Sequence, residues 1–265
     1  MYLTILVALL ESAVWVRGAE RIIGGVECVP HSQPWQAALY FFDSYTCGGV
    51  LINENWVLSA AHCCTANIQI RMGMHNRVEP DEAVQFNFAE KAFIHPSYNA
   101  ATYESDIMLI RLWSPFNMTE YVQTAGLPDN PVAEGTGCTI SGWGSTTSPA
   151  DTHPDVLQCA SVSVVSHSHC QECYPNDNIT DNMLCAGVAE GGIDTCQGDS
   201  GGPFICNSVL QGITSWGEIP CALPDKPGIY TKLINFIPWI NCIMANPDIC
   251  DVGSNLCTRC PCNPI

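Results

Sequence analysis

Seventeen of the 265 residues are cysteine, and no other feature of the chain narrows its possible folds so much. Thiols at this density point to an oxidising compartment and a disulfide framework, because a reducing cytosol would keep them apart. The start of the chain agrees. Tyr2 to Val16 is apolar apart from Thr4, Glu11 and Ser12, is short for a bilayer span, and ends at Val16-Arg17-Gly18, a small-residue cleavage site. Residues 1–18 therefore read as a signal peptide and the protein as secreted and extracellular. No later run is long and apolar enough to cross a membrane. Seventeen is odd, so at least one thiol is free, modified or paired with another chain unless a further cleavage removes one.

With 47% hydrophobic and 13% charged residues the chain has the means to bury a core. Lys and Arg number 9 against 26 Asp and Glu, a formal net charge of -17. That balance excludes nucleic acid and anionic membrane surfaces as partners and favours a cationic substrate. Removing residues 1–21 takes away two acids and two bases, so the charge belongs to the mature chain.

From Ile22 onward, short apolar runs such as Val50-Leu51-Ile52 and Ile107-Met108-Leu109-Ile110 alternate with Gly, Pro, Asn and Asp turns, which reads as all-β. Two small barrels joined near residues 127–134 suit the length and the strand spacing. A helical period is expected only near the end, where Leu233, Phe236, Ile237, Ile240 and Met244 fall on one face and Pro238 suits a first turn. After Asn246-Pro247 the composition shifts to a tail with Cys250, Cys257, Cys260 and Cys262, too poor in apolar residues for a core of its own.

Hydrolysing an amide at neutral pH requires a nucleophile, a base to take its proton, and a buried acid to orient the base. Ser200 lies in Gly198-Asp199-Ser200-Gly201-Gly202-Pro203, where glycines on both sides permit a tight turn that exposes a hydroxyl and bares backbone N–H groups. His62 lies in Ser59-Ala60-Ala61-His62-Cys63, and Asp106 precedes an apolar strand. Taken singly these are a turn serine, a structural histidine and a capping acid. Their joint occurrence carries the argument.

The three motifs, in the order His, Asp, Ser, resemble the chymotrypsin-trypsin family of serine proteases over nearly all of Ile22 to Ile240. The resemblance implies two antiparallel six-stranded β-barrels with the active site between them and a C-terminal helix. It implies a serine endopeptidase in which His62 is general base and then acid, Asp106 orients it, Ser200 is the nucleophile, and the N–H groups of Gly198 and Ser200 form the oxyanion hole. Asp194 takes the base of the primary specificity pocket, with Thr195, Ser215, Trp216, Gly217 and Gly228 around it, so cleavage after Lys or Arg is expected. Arg21-Ile22 resembles a zymogen activation point: residues 19–21 form a short propeptide, and the freed Ile22 amine would meet Asp199. The protease domain is then residues 22–249, and residues 250–265 a Cys-rich appendage.

The resemblance also pairs Cys28 with Cys159, Cys47 with Cys63, Cys138 with Cys206, Cys170 with Cys185, and Cys196 with Cys221. It leaves Cys64, Cys173, Cys242, Cys250, Cys257, Cys260 and Cys262 unplaced. Cys257-x-x-Cys260-x-Cys262 allows a metal site, but disulfides within the tail or to Cys242 suit an exported chain better. No metal or other cofactor is expected. Met74 and Val84 stand where the family's calcium loop carries carboxylates, although Glu79, Asp81 and Glu82 leave a weak replacement open. Glu218-Ile219-Pro220 is bulkier than the segment usual at this pocket mouth. Asn117-Met118-Thr119 and Asn178-Ile179-Thr180 are glycosylation sequons. The partners implied are protein and peptide substrates and protein inhibitors, acting on a monomer. A digestive role is the first reading; a regulatory protease and an inactive binding protein on the same scaffold are the others.

Overall fold

The computed structural model describes residues 22–79, 82–149, 152–248 and 257–259. The signal peptide, the propeptide with Arg21, Asp81 and most of the Cys-rich tail lie outside them. After a two-residue strand, β1 (Val26–Glu27), six strands follow in the first half: β2 (Gln36–Phe41), β3 (Ser44–Asn53), β4 (Trp56–Ser59), β5 (Ile68–Met72), β6 (Gln85–Ile94) and β7 (Met108–Leu112). Their order is β6-β5-β2-β3-β4-β7, and β6 pairs back on β7 to close an antiparallel barrel. In β5 the two-residue period is visible: Ile68, Ile70 and Met72 are buried, whereas Gln69 and Arg71 reach solvent.

Residues 113–136 lead to the second barrel, built from β8 (Gly137–Gly142), β9 (Gln158–Val165), β10 (Met183–Gly187), β11 (Pro203–Cys206), β12 (Val209–Trp216) and β13 (Gly228–Lys232). Its order is β9-β10-β13-β12-β11-β8, closed by β8 on β9. The two closed six-stranded barrels are those the family resemblance implies. Strand β1 adds to the edge of β9 through Val26 opposite Cys159. Ile22 is fully buried against this second barrel, in a cluster with Ile140, Phe204 and Tyr230.

Helix appears in two places, one more than the sequence pattern predicts. Helix α1 (His167–Cys173) has only Cys170 buried, so it leaves no apolar period to read; Ser166 caps it by accepting from the His169 N–H at 3.2 Å. At the C-terminal end, Leu233–Phe236 forms a 3-10 turn before α2 (Ile237–Ala245) begins. Pro238 has no N–H to donate and is accepted only in the first turn, which sets that start. Trp239, Ile240 and Ile243 are buried against the first barrel, and Ile237 and Met244 are partly buried against the same core.

The bridges Cys28–Cys159, Cys47–Cys63, Cys138–Cys206, Cys170–Cys185 and Cys196–Cys221 are formed. In a chain-entropy view, closing the 16-residue separation of Cys47 and Cys63 is worth about 3 kcal/mol. Cys64 and Cys242 are disulfide-bonded too, and Cys173 is free. Part of the Cys-rich tail joins the first barrel: β14 (Cys257–Arg259) runs parallel to β6 with Cys257 opposite Ala92 and Arg259 opposite Ile94. The stretch is open to pairing because β5 covers β6 only from Gln85 to Phe88.

Candidate active site

Each barrel sends different residues to one cleft of about 360 Å³, lined by His62 and Tyr103 from the first and by Gln197, Ser200, Ser215 and Trp216 from the second. His62 sits in a 3-10 turn, Ala61–Cys63, directly after β4 and pinned by the Cys47–Cys63 bridge. Asp106, fully buried, holds it twice: Oδ1 accepts the His62 backbone N–H at 3.0 Å and Oδ2 lies 2.7 Å from the ring Nδ1. The Ser215 hydroxyl also donates to Oδ2, at 2.6 Å, so both oxygens of this carboxylate have partners. A carboxylate on Nδ1 keeps the proton there and turns Nε2 into the basic atom.

The turn carrying Ser200 requires its glycines. Gly198 has φ +95° and Gly201 φ +79°, conformations that side chains resist. A Cβ on Gly201 would also overlap the Ser59 hydroxyl and come within 2.5 Å of the Gly48 carbonyl. The close approach locks the barrels together, for the Gly48 N–H donates to the Ser200 carbonyl at 2.8 Å. The Gly198 carbonyl accepts from the Tyr45 hydroxyl at 2.8 Å. Among the described residues, the N–H groups of Gly198 and Ser200 meet no acceptor.

Two further carboxylates are buried in the second barrel. Asp194 is 3% exposed and lies under two glycines: a Cβ on Gly228 would come 2.5 Å from Oδ1, and one on Gly217 3.8 Å from Oδ2. The Thr195 N–H donates to it at 2.8 Å and the Thr195 hydroxyl at 3.4 Å, and the Ala222 backbone N–H adds a further donor. Burial pushes its pKa up to about 7 against these weaker hydrogen bonds. Asp199 accepts from the Gly144 N–H at 2.8 Å and the Cys196 N–H at 2.9 Å, and burial raises it to about 6.

The mouth of the cleft carries Glu218 and Ile219, the latter 64% exposed; Glu218 pairs with Lys226 at 3.4 Å. In the loop matching the family's calcium site, the two apolar positions pack inward. Met74 is buried in a cluster with Tyr40 and Trp143, Val84 packs on the same cluster, and Asn76 Oδ1 is taken by the N–H groups of Val78 and Glu79. Among the described residues the one tight group of three metal-ligating side chains is Cys47, His62 and Cys63, in which both thiols are consumed by their mutual disulfide. Tyr45 and Tyr103 escaped the sequence reading. Nothing in the pattern signals either; Tyr103 lies three residues before Asp106, and only folding sets its ring edge-on to His62, 5.5 Å between centroids at 85°.

Comparison with known proteins agrees with this geometry. A family model described as Trypsin matches residues 22–240. The chain is 46% identical over 235 residues to Kallikrein-11 of Homo sapiens, covering 87% of this chain and 83% of that protein. It is 45% identical over 248 residues to Trypsin-4 of Rattus norvegicus, covering 93% and 100%. Among solved structures it resembles neuropsin, a serine protease expressed in the limbic system of mouse brain, with a TM-score of 0.80 and 45% identity over 83% of this chain and 98% of that one.

Proposed function

Because the chain belongs to the trypsin family of serine proteases, we propose that it is a secreted endopeptidase, made as a zymogen, that cuts peptide bonds after Lys or Arg. The observation that carries the specificity is Asp194, a buried carboxylate beneath Gly217 and Gly228 that is met by Thr195 and the Ala222 backbone but by no cation among the described residues. A substrate ammonium or guanidinium relieves that burial, and losing one half of such a pair costs on the order of 2–5 kcal/mol.

In the reaction, Ser200 Oγ attacks the carbonyl carbon while its proton passes to His62 Nε2. The carbonyl electrons move to the oxygen, which the free N–H groups of Gly198 and Ser200 receive. Collapse breaks the C–N bond, and the leaving amine takes the proton from His62. Water then repeats the sequence on the acyl-enzyme, restoring Ser200 and releasing the acid. Asp106 keeps the imidazole in the right tautomer throughout.

Activation follows from Asp199. Cleavage after Arg21 creates an ammonium on Ile22, whose side chain is already buried in the second barrel. Pairing that cation with the Asp199 carboxylate orders the Gly198–Ser200 turn; leaving one partner of such a buried pair uncompensated costs about 3–5 kcal/mol. A digestive role asks for a broad substrate range. Tyr103, Glu218 and Ile219 around the cleft favour instead a restricted set of processing sites.

The test is a panel of peptide amides differing only in the residue before the scissile bond, offered to the chain cleaved at Arg21. Turnover of the Arg and Lys members far above the Leu, Phe and Glu members is expected, and equal turnover across the panel would sink the assignment.

A further inference from the structure

An odd number of cysteines obliges at least one sulfur to stay outside the bridges within the chain, and Cys173 is a free thiol. It ends helix α1, one turn after His169, and side chains four apart on a helix share a face. Here the two meet: Cys173 Sγ lies 3.7 Å from His169 Nε2. A sulfur and a nitrogen on one tetrahedral zinc ion, at about 2.3 Å and about 2.0–2.1 Å from the metal, stand about 3.6 Å apart. The pair is spaced to share one ion with almost no movement.

Its surroundings suit a cation. His169 Nδ1 faces Glu172 Oε2 at 3.5 Å. A carboxylate there keeps the ring proton on Nδ1 and leaves Nε2, the atom beside the thiol, as the ligand atom, which is how carboxylates orient metal-bound histidines. Burial raises the Cys173 thiol above its ordinary value, the Asp225 and Glu172 carboxylates add to that, and Lys226 opposes it. Lys226 is itself answered by Glu218 at 3.4 Å. A field that holds a proton on sulfur also draws in a dication to replace it. His169 and Asp225 both line a cavity of about 330 Å³, which leaves room for water to complete the coordination.

The helix beneath the pair is fixed from several sides. Cys170 is bridged to Cys185, the Lys226 ammonium donates to the Cys173 carbonyl at 2.7 Å, and the Tyr174 hydroxyl donates to the Pro227 carbonyl at 2.8 Å. Ligands on a braced element lose little freedom when a metal arrives.

We propose that Cys173 and His169 form a binding site for a divalent cation of the zinc class, with Glu172 orienting the histidine and Asp225 supplying negative charge beside it. Sulfur and imidazole select zinc and its neighbours over calcium or magnesium, which prefer oxygen. Binding releases the thiol proton to solvent and leaves a metal–thiolate bond. Neither ligand lines the catalytic cleft, so the site stands apart from the cleavage reading.

The experiment titrates the full, unreduced chain with Co2+ and follows the near-ultraviolet thiolate-to-cobalt absorption, then displaces the cobalt with Zn2+. A metal on His62 gives no such band, because Cys47 and Cys63 are bridged. The native chain should show the band and lose it on adding Zn2+. Cys173→Ser should abolish it. Glu172→Gln should weaken cobalt binding about tenfold, and His169→Ala by more than that. His167→Ala removes a histidine of the same helix that already meets Gln171 at 3.1 Å, and it should leave binding unchanged. Absence of the band in the native chain, its persistence in Cys173→Ser, or native affinity in His169→Ala would overturn the proposal. So would recovery of Cys173 capped as a mixed disulfide in the purified protein.

Discussion

The two barrels meet the cleft in opposite electrostatic conditions. In the first, the catalytic-side acid is finished: Asp106 is fully buried, yet both oxygens are taken by His62 and Ser215. In the second, Asp194 and Asp199 are held by backbone N–H groups and the Thr195 hydroxyl, and burial raises them to about 7 and about 6. A carboxylate in that condition is waiting for a positive charge. The difference teaches that one half of the site is set by folding, whereas the carboxylates of the other half remain without a cation in the described structure. In the proposed function the Ile22 ammonium would answer Asp199 and the substrate would answer Asp194.

The largest effect expected is in the finished half. Asp106→Asn removes the acceptor that fixes the His62 tautomer, and kcat should fall by about 10⁴, the size found for this change in other triads of the family. A loss under tenfold would mean that His62 is held by something other than Asp106. In the unfinished half, Asp194→Ser should cut kcat/KM for Arg substrates by about 10²–10³ while leaving apolar substrates within a few-fold. Equal losses on both classes would erase the distinction between the two halves.

A smaller effect concerns stability before activation. Asp194 and Asp199 both have folded-state values raised above an ordinary carboxyl, so between about pH 4 and pH 7 the folded chain binds more protons than the unfolded one. Their contribution therefore favours folding at acid pH and is lost as pH rises through about 6 and 7. Urea unfolding of the uncleaved chain across that window should give a midpoint that declines with pH, and Asp199→Asn should flatten part of the decline. A midpoint rising with pH equally in both proteins would contradict the assignment. The smallest effect is covalent: peptide mapping without reduction should recover Cys64 and Cys242 in disulfides and Cys173 as a thiol, and recovery of Cys64 as a free thiol would contradict that arrangement.

Legibility in the sequence followed the same division between local and tertiary causes. The barrels were readable because short apolar runs bounded by turn residues state their own period, as in β5 and β7. The cleft residues His62, Asp106, Ser200 and Asp194 stood out through local motifs that need particular glycines and neighbours. Helix α1 was hidden because a helix burying a single side chain has no periodic face. Tyr103 and Tyr45 were hidden because each gains its place from a residue far off in the chain, such as Gly198 for Tyr45. The pairing of β14 with β6 depends on where β5 stops covering its neighbour, which no pattern within residues 250–265 encodes.

That the second half of the site awaits a cation is tested most directly by kcat/KM on an arginine peptide amide, measured on one preparation before and after cleavage at Arg21. A rise of about 10²–10³ on cleavage is predicted, in line with the ion pair that Asp199 gains. Equal activity in the uncleaved and cleaved chains would contradict it.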